Sequence, residues 1–233
     1  MDPVGILLQT YLFGDLAAED VAALLPVLGE RTFARGESVW IEGDPALALY
    51  VVVEGQLKAH RVGVDGGEVI LGINQAVDLF GEVGLFHPGG VRLVSMTAMT
   101  AARCLRIPKA PLLGFLTRHP ATMERLLERL STIAGQAAYS FSALAFDDIR
   151  RRVAVALLEL ADEFGESTGE GSLRIRLRLS QSTLAALVAA SRENVNRALA
   201  ALVGAGAVSQ SDGHFYLHDL DALRRVAASS EDL

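Results

Sequence analysis

The segment from Ser180 to Leu202 constrains the fold more than any other part of the sequence. Its apolar residues recur at helical spacing on both sides of a tight turn at Ala189-Ala190-Ser191. Ser191 is a residue type that caps the first turn of a helix, so a second helix is expected to begin directly after it. Two short helices joined in this way form a helix-turn-helix.

The second of these helices, predicted over Ser191 to Leu202, separates into a packing face and a polar face at about 100° per residue. Its polar side chains match base edges in the major groove, because arginine pairs with guanine, glutamate with cytosine and asparagine with adenine. They are Arg192, Glu193, Asn196 and Arg197. A surface helix with an i,i+4 ion pair between Glu193 and Arg197 is the alternative, and the two interpretations are compatible.

The flanks of this motif are rich in strand signals. Residues 203–217 predict a turn, a strand, a tight Asp212-Gly213 turn and a second strand, which together form a hairpin wing. Before the motif, residues 173–179 alternate strictly between apolar residues and arginines, which predicts a strand with Arg174, Arg176 and Arg178 on one face. That face is either a solvated surface or a region close to phosphate.

The N-terminal half has a different pattern. Residues 1 to about 28 predict a helical lead-in. From about 31 to 108, short β-rich runs separated by glycines predict a sandwich or a β-roll.

After Pro120 a long helix is predicted, with apolar or small residues alternating in spacings of four and three. They are Leu126, Leu130, Ile133, Ala137, Ser140 and Leu144. This a/d pattern indicates either two helices that pack along their length or one helix that packs on its own domain. The pattern ends near Phe146–Asp148, where we expect the domain boundary.

Composition excludes several classes of protein. The chain has 233 residues, 51% of them hydrophobic, so it can form packed cores. Its single cysteine, Cys104, excludes an intrachain disulfide and an iron–sulfur cluster. A net charge of −7 means that any DNA contact must come from a local basic surface. No signal peptide or membrane segment is apparent, and we expect a cytoplasmic protein.

An enzyme on a cupin-like roll would need clustered histidines and a carboxylate to hold a metal. The five histidines do not cluster within the roll, and we predict neither a metal site nor an enzyme. They are His60, His87, His119, His214 and His218.

The segment Ala190 to Arg197 resembles the recognition-helix signature of the CRP/FNR family, the cyclic-AMP receptor proteins and their relatives. Three further stretches resemble that family's β-roll entry and phosphate-binding cassette, and the likeness extends from about Leu12 to Leu223. They are Glu42 to Ala46, Tyr50 to Lys58, and Phe80 to Phe86 with Arg92 after it.

The resemblance implies an α+β fold in three parts. These are a jelly-roll-like, cyclic-nucleotide-binding β-roll over 1–118, a dimerisation helix over 119–146 and a winged helix-turn-helix over 147–233. It also implies a homodimer, formed through residues of about 123–144, that regulates transcription. The expected partners are a TGTGA-like palindrome in double-stranded DNA and RNA polymerase. Arg192, Glu193 and Arg197 would read bases, and Ser180 and Gln181 would contact phosphate, with Ser191 and Asn196 beside them.

In cyclic-AMP-binding members, the residues that correspond to Gly81, Glu82 and Arg92 hold the ribose and the cyclic phosphate, and Val83 and Leu93 lie next to them. Three departures argue against cyclic AMP as the ligand. Leu93 stands where a serine is usual, and Ala137 and Ala138 replace the polar pair that reads the adenine.

Three possibilities for control therefore stay open. Another cyclic nucleotide or small ligand occupies the roll, with Gln136, Tyr139 and Ser140 available to read it. Alternatively, Glu82 and Arg92 pair with each other in a degenerate pocket of a ligand-independent regulator. In the third, the roll controls a partner protein and no DNA is bound. Haem is not expected, because His87 stands alone beside the cassette.

Overall fold

The computed structural model describes residues 2–169 and 171–228, which form two compact units. The first unit contains the chain up to Arg61 together with Leu71–Ala137. The second contains Val62–Ile70 and the residues after Ala137. Within the described residues, no helix is both long and apolar enough to cross a membrane.

The helical lead-in is broken into short pieces. Helix α1 spans Pro3–Leu7, helix α2 spans Ala18–Ala22, and a 3₁₀ turn covers Leu25–Val27. Asp2 caps α1 by accepting hydrogen bonds from the backbone of the first turn, and Pro3 starts the helix, where a missing N–H costs nothing. Turns fill the chain between α1 and α2, so the prediction of a continuous helical segment was wrong in extent.

The prediction of a β-roll is confirmed. One sheet has the strand order β1-β8-β3-β6 and the other β2-β7-β4-β5. The strands are β1 Gly29–Phe33, β2 Ser38–Trp40, β3 Ala48–Glu54, β4 Leu57–Val62, β5 Glu68–Asn74, β6 Leu79–Phe80, β7 Ser95–Ala98 and β8 Ala102–Pro108. Helix α3, Glu82–Phe86, lies between β6 and β7, and helix α4, Lys109–Arg118, follows β8.

Successive side chains of strand β3 point to opposite faces of its sheet and pack into two separate hydrophobic clusters. One face joins the interior cluster with Trp40, Phe80 and Cys104, whereas the other joins a second cluster with side chains of helices α1, α2 and α4. Burial raises the pKa of the Cys104 thiol to about 12, so this cysteine stays protonated and unreactive. Strands β3 and β8 are antiparallel, with Tyr50 opposite Arg106.

Helix α5 runs without a break from Pro120 to Phe146. Leu126 is buried in the core of its own unit and Leu130 packs against it, so the start of the predicted a/d row packs within one chain. At that end of the helix, the alternative of packing on its own domain was correct.

From Ile149 onwards, the second unit is a winged helix-turn-helix. Its elements are α6 Ile149–Phe164, β9 Gly165–Gly169, β10 Ser172–Ile175, α7 Gln181–Leu187, α8 Arg192–Gly204, β11 Val208–Ser211, β12 His214–Leu217 and α9 Leu220–Ala228. The sheet order is β11-β12-β10-β9. Asp148 caps α6 through a 2.7 Å hydrogen bond from the Arg151 backbone.

The strand predicted over residues 173–179 is shorter than expected, since β10 ends at Ile175. Beyond that point the backbone bonds to other elements, with the Arg176 N–H donating to the Phe164 carbonyl and the Leu179 N–H to the Gly213 carbonyl. The burial pattern nevertheless continues, with apolar side chains inside and Arg176 and Arg178 exposed. The alternation therefore predicted the faces correctly and the strand length incorrectly.

Candidate nucleic-acid interface and ligand site

Helices α7 and α8 form the predicted motif with both N-termini capped. The Ser180 hydroxyl accepts from the Thr183 N–H at 3.0 Å, and the Ser191 hydroxyl accepts from the Asn194 N–H at 3.3 Å. Between the helices, Ala189 has a left-handed backbone with φ of +49°. The turn is thus formed as expected, with the alanine in a conformation that favours glycine.

This strain predicts that Ala189→Gly stabilises the protein. A left-handed alanine costs about 1–2 kcal/mol, and glycine's greater freedom in the unfolded chain offsets roughly 0.5–1 kcal/mol of that. We expect a net gain of about 1 kcal/mol in the free energy of unfolding, measured by urea denaturation. Ala190→Gly is the control, because Ala190 has a negative φ, and it should destabilise. Equal effects of the two substitutions would contradict the prediction.

The exposed side chains of the first turns of α8 are Arg192, Glu193 and Arg197. Asn196 is half-buried and lines a groove with Gln181 and with residues of the wing, so it is less exposed than the other three predicted side chains. Strands β11 and β12 contribute Val208, Gln210 and Phe215 to the walls of the same groove. The Asn196 Oδ1 atom is buried without a hydrogen-bond partner among the described residues.

Arg197 is held by Asn194, a residue that the sequence pattern did not indicate. The Arg197 guanidinium donates to Asn194 Oδ1, one turn earlier on the same helix. Among the described residues, no ion pair forms between Glu193 and Arg197, so that alternative was wrong. Spacing alone allowed either partner, because positions i−3 and i−4 both adjoin a helical side chain.

The wing supplies a basic edge next to the start of α7. Its Asp212-Gly213 turn has φ of +51° and +79°, typical of a two-residue hairpin. Arg178 lies beside this turn and is exposed, whereas Arg174 is paired with Glu166 at 2.5 Å. Of the three alternating arginines, Arg174 is therefore neutralised locally, and Arg176 and Arg178 carry the open charge.

In the first unit, the predicted cassette turns sharply into α3 at Gly81, with φ of +93°. Glu82, which follows, is only 4% exposed, and within the described part of the chain its carboxylate has one ion-pair neighbour, the Arg129 Nε atom of α5 at 4.0 Å. That Nε atom is itself buried, with no hydrogen-bond partner in the same residues. Burial raises the pKa of Glu82, while its own N–H and the nearby arginines lower it. Among the described residues, no other residue donates a hydrogen bond to this buried carboxylate, so Glu82 retains acceptor capacity.

Arg92 does not pair with Glu82. Its guanidinium donates to the Gly81 carbonyl at 2.8 Å and the Ala48 carbonyl at 2.6 Å, and it lies 3.8 Å from the Trp40 ring centroid. A Cβ at Gly81 would come within 2.6 Å of this guanidinium, so the glycine is required by packing as well as by its backbone angle. The interpretation of an internal Glu82–Arg92 pair was wrong because aromatic rings and carbonyls provide a closer environment for the arginine.

The remaining predicted ligand residues are more open. Val83 and Leu93 are each more than a third exposed, and Ala137 and Ala138 lie exposed on α5. Taken together, the predicted ligand residues fit a ligand whose hydroxyl donates to Glu82. They fit a cyclic phosphate less well, because the Arg92 donors already bond to the protein and Leu93 has no hydroxyl.

The raised pKa of Glu82 predicts a pH dependence of stability. An unfolded glutamate ionises near pH 4.3, so native stability should fall as pH rises from there through the higher folded pKa. Glu82→Gln removes this loss, and in urea unfolding the variant should gain on wild type as the pH is raised from about 4.3 towards neutrality. Glu124→Gln, at an exposed position of α5, is the control. A wild-type minus variant difference that stays constant with pH would contradict the prediction.

Comparison with known proteins agrees with both units. The cyclic nucleotide-binding domain family matches residues 30–119, and the Crp-like helix-turn-helix domain family matches residues 151–226. The "CRP-like cAMP-activated global transcriptional regulator" of Mycobacterium tuberculosis is 35% identical over 95% of this chain and 98% of its own length. The chain belongs to the CRP/FNR family of transcription regulators.

Solved structures of CRP/FNR regulators share the fold. A CRP/FNR-family transcriptional regulator from Thermus thermophilus has a TM-score of 0.70 at 27% identity, covering 87% of this chain and 100% of its own. The c-di-GMP responsive global regulator CLP from Xanthomonas campestris has a TM-score of 0.74 at 26% identity, with the same coverage. These CRP/FNR relatives are regulators and not enzymes, in agreement with the prediction from the histidines.

Proposed function

We propose that the protein is a homodimer that binds a TGTGA-like palindrome through helix α8. The observation that carries this proposal is the capped start of α8, where Arg192, Glu193 and Arg197 are exposed together. Arginine reads guanine and glutamate reads cytosine from the major groove, and the first turn of a recognition helix is where such contacts form. RNA polymerase is the expected protein partner. We expect the protein in the cytoplasm, because bacterial DNA is there.

Dimerisation through α5 is supported by a row of exposed side chains along that helix. The large apolar members include Leu127 at 60%, Phe141 at 74% and Leu144 at 50% exposed. With smaller or less exposed members between them, the row repeats at spacings of four and three, which is the period of a two-helix seam. It comprises Met123, Leu127, Leu130, Ala134, Ala137, Phe141 and Leu144. The seam that we propose thus shares Leu130, Ala137 and Leu144 with the sequence prediction and replaces the other three positions.

Phosphate contacts are assigned to the start of α7 and to the adjacent basic edge. The first N–H groups of a helix attract an anion, and Ser180 and Gln181 stand at that point in α7. Arg178 lies two residues before Ser180. The next residue, Leu179, donates a backbone hydrogen bond to Gly213, which holds this segment beside the wing turn. Ser191, as the cap of α8, and Asn196, in the groove, complete the proposed surface.

Arg178→Ala should weaken binding equally on specific and non-specific DNA. Each lost phosphate contact lowers the slope of log K against log salt by about 0.9, or roughly 2 for a dimer. Fluorescence anisotropy between about 50 and 200 mM salt measures this slope. Arg174→Ala is the matched control, since Arg174 is paired with Glu166. A slope that Arg178→Ala leaves unchanged would remove this arginine from the interface.

Ligand control is proposed through Gly81, Glu82 and Val83, with Arg92 and Leu93 at the same cassette. A buried, under-bonded Glu82 favours a ligand that carries a hydroxyl donor. Cyclic AMP is disfavoured by Leu93, Ala137 and Ala138, since each lost hydrogen bond costs about 1 kcal/mol or more. A ligand-independent regulator is the second candidate, favoured by the Arg92 guanidinium that is already bonded to the protein.

Gel shifts with a TGTGA palindrome, combined with calorimetric titration of cyclic AMP and cyclic GMP, test this function. We expect a specific shift that Arg192→Ala strongly weakens. Absence of a shift at low salt would overturn DNA binding and revive the third possibility, a module that controls a partner protein. DNA affinity that no nucleotide changes would favour the ligand-independent candidate.

A further inference from the structure

A pocket of about 220 Å³ opens at the surface of the first unit, beside Arg92 and Trp40. Its walls include Trp40, Asp44, Tyr50, Arg92 and Arg106, and Glu82 is not among them. Pockets for drug-sized ligands usually measure about 300–1,000 Å³. This one therefore suits a smaller molecule.

Arg106 reaches the pocket from strand β8. It stands opposite Tyr50 in the β3–β8 pair and shares a strand face with Cys104, which lies in the interior cluster. Its side chain is partly buried. Within residues 2–169 and 171–228 it forms no hydrogen bond and no ion pair. The guanidinium thus offers its donors to the pocket.

The pocket carries an excess of positive charge. Arg92 is bonded to two neutral carbonyls, and neither it nor Arg106 has a carboxylate within ion-pair distance among the described residues. Asp44 is the single acid in the described wall, and it already accepts a 2.9 Å hydrogen bond from the Ile41 backbone. Burial lowers the pKa of Arg92 and the charge of Arg106 lowers it further, whereas Tyr50, Glu82 and Asp44 raise it. A bound anion would offset the mutual repulsion of the two guanidinium groups.

We propose that this pocket binds a small oxyanion, a carboxylate or a phosphate group, through the Arg106 guanidinium. The planar fork of arginine matches both groups with two parallel hydrogen bonds. The rings of Trp40 and Tyr50, whose centroids are 5.4 Å apart, form rigid walls that limit the size of the rest of the ligand. The pocket shares Arg92 with the ligand control proposed above but does not include Glu82, so this inference goes beyond that proposal.

Trp40 is the single tryptophan of the sequence, so its fluorescence reports directly on the pocket. The full-length protein is titrated with sodium phosphate and separately with sodium malonate, at ionic strength held constant with sodium chloride. We expect a saturable change with at least one anion. Saturation by phosphate alone assigns a phosphate ligand, and saturation by malonate alone assigns a carboxylate.

Arg106→Gln should raise the apparent Kd at least about tenfold, since a hydrogen bond to a charged group is lost. Arg106→Lys keeps the charge and should give an intermediate value. Arg103→Gln is the matched control, because Arg103 is on the same strand and pairs with Glu30 and Glu54, and it should bind as wild type does. A linear response equal to that of chloride, or saturation unaffected by Arg106→Gln, would overturn the proposal. DNA is absent from this assay, so either result leaves DNA recognition untouched.

Discussion

Phe141→Asp should convert the protein from a dimer into a monomer. Phe141 is 74% exposed on α5 and lies within the row of seven side chains that repeats at spacings of four and three. A charge placed in the middle of an apolar seam must be desolvated when two helices associate, which opposes association. A monomer engages one half-site at a time, so we expect the affinity for the palindrome to fall by about 10²- to 10⁴-fold.

Analytical ultracentrifugation measures the first effect and fluorescence anisotropy the second. Phe146→Asp is a demanding control, because Phe146 is even more exposed, at 86%, but lies off the repeating row. It should remain a dimer and bind DNA normally. If Phe141→Asp also stayed dimeric at micromolar concentration, the interface would lie elsewhere on the molecule.

Arg192→Ala should cause the other large loss. A bidentate contact to guanine is worth about 1–3 kcal/mol, and a dimer loses it in both half-sites. The expected total of about 2–6 kcal/mol corresponds to a decrease in affinity of roughly 30-fold to 10⁴-fold. Non-specific binding should change little, because it depends on phosphate contacts.

The change is measured on the palindrome and on a duplex in which one guanine per half-site is replaced. If Arg192 reads that guanine, the variant should lose its preference between the two duplexes. Arg224→Ala removes the same charge from an exposed position on α9, where Arg224 pairs with Asp221, and should bind as wild type does. Equal losses for the two variants would point to a general electrostatic effect.

The sequence predicted the helix-turn-helix well because its signals are local. Ser191 caps the next turn, Asp212-Gly213 forms the hairpin, and Ala189 takes the left-handed turn position. Each depends on residues within a few positions along the chain. The groove around Asn196 could not be derived in this way, because Val208, Gln210 and Phe215, which also line it, come from a later part of the chain.

Side-chain arrangements in the roll could not be derived in the same way. Arg92 faces Trp40 and the Ala48 carbonyl, which are more than forty residues away in the chain, so no spacing pattern indicates them. No sequence motif includes Arg106, and only the register of the β3–β8 pair brings it opposite Tyr50. On α5, two overlapping rows of residues repeat at the same spacings of four and three. Only the structure distinguishes them, because it shows that Leu126, in the predicted row, is buried in the core of its own unit.

The most direct test of a dimer that reads a palindrome is the spacing between the half-sites. Anisotropy titrations at a fixed salt concentration compare a TGTGA palindrome with half-site centres one DNA turn apart, roughly 34 Å, with the same duplex lengthened by about half a turn, or roughly five base pairs. This insertion rotates the second half-site to the opposite face of the helix. For a dimer that reads both half-sites, we predict that affinity falls by at least about 100-fold, to the level of a single half-site. Equal affinity for the two duplexes would contradict it.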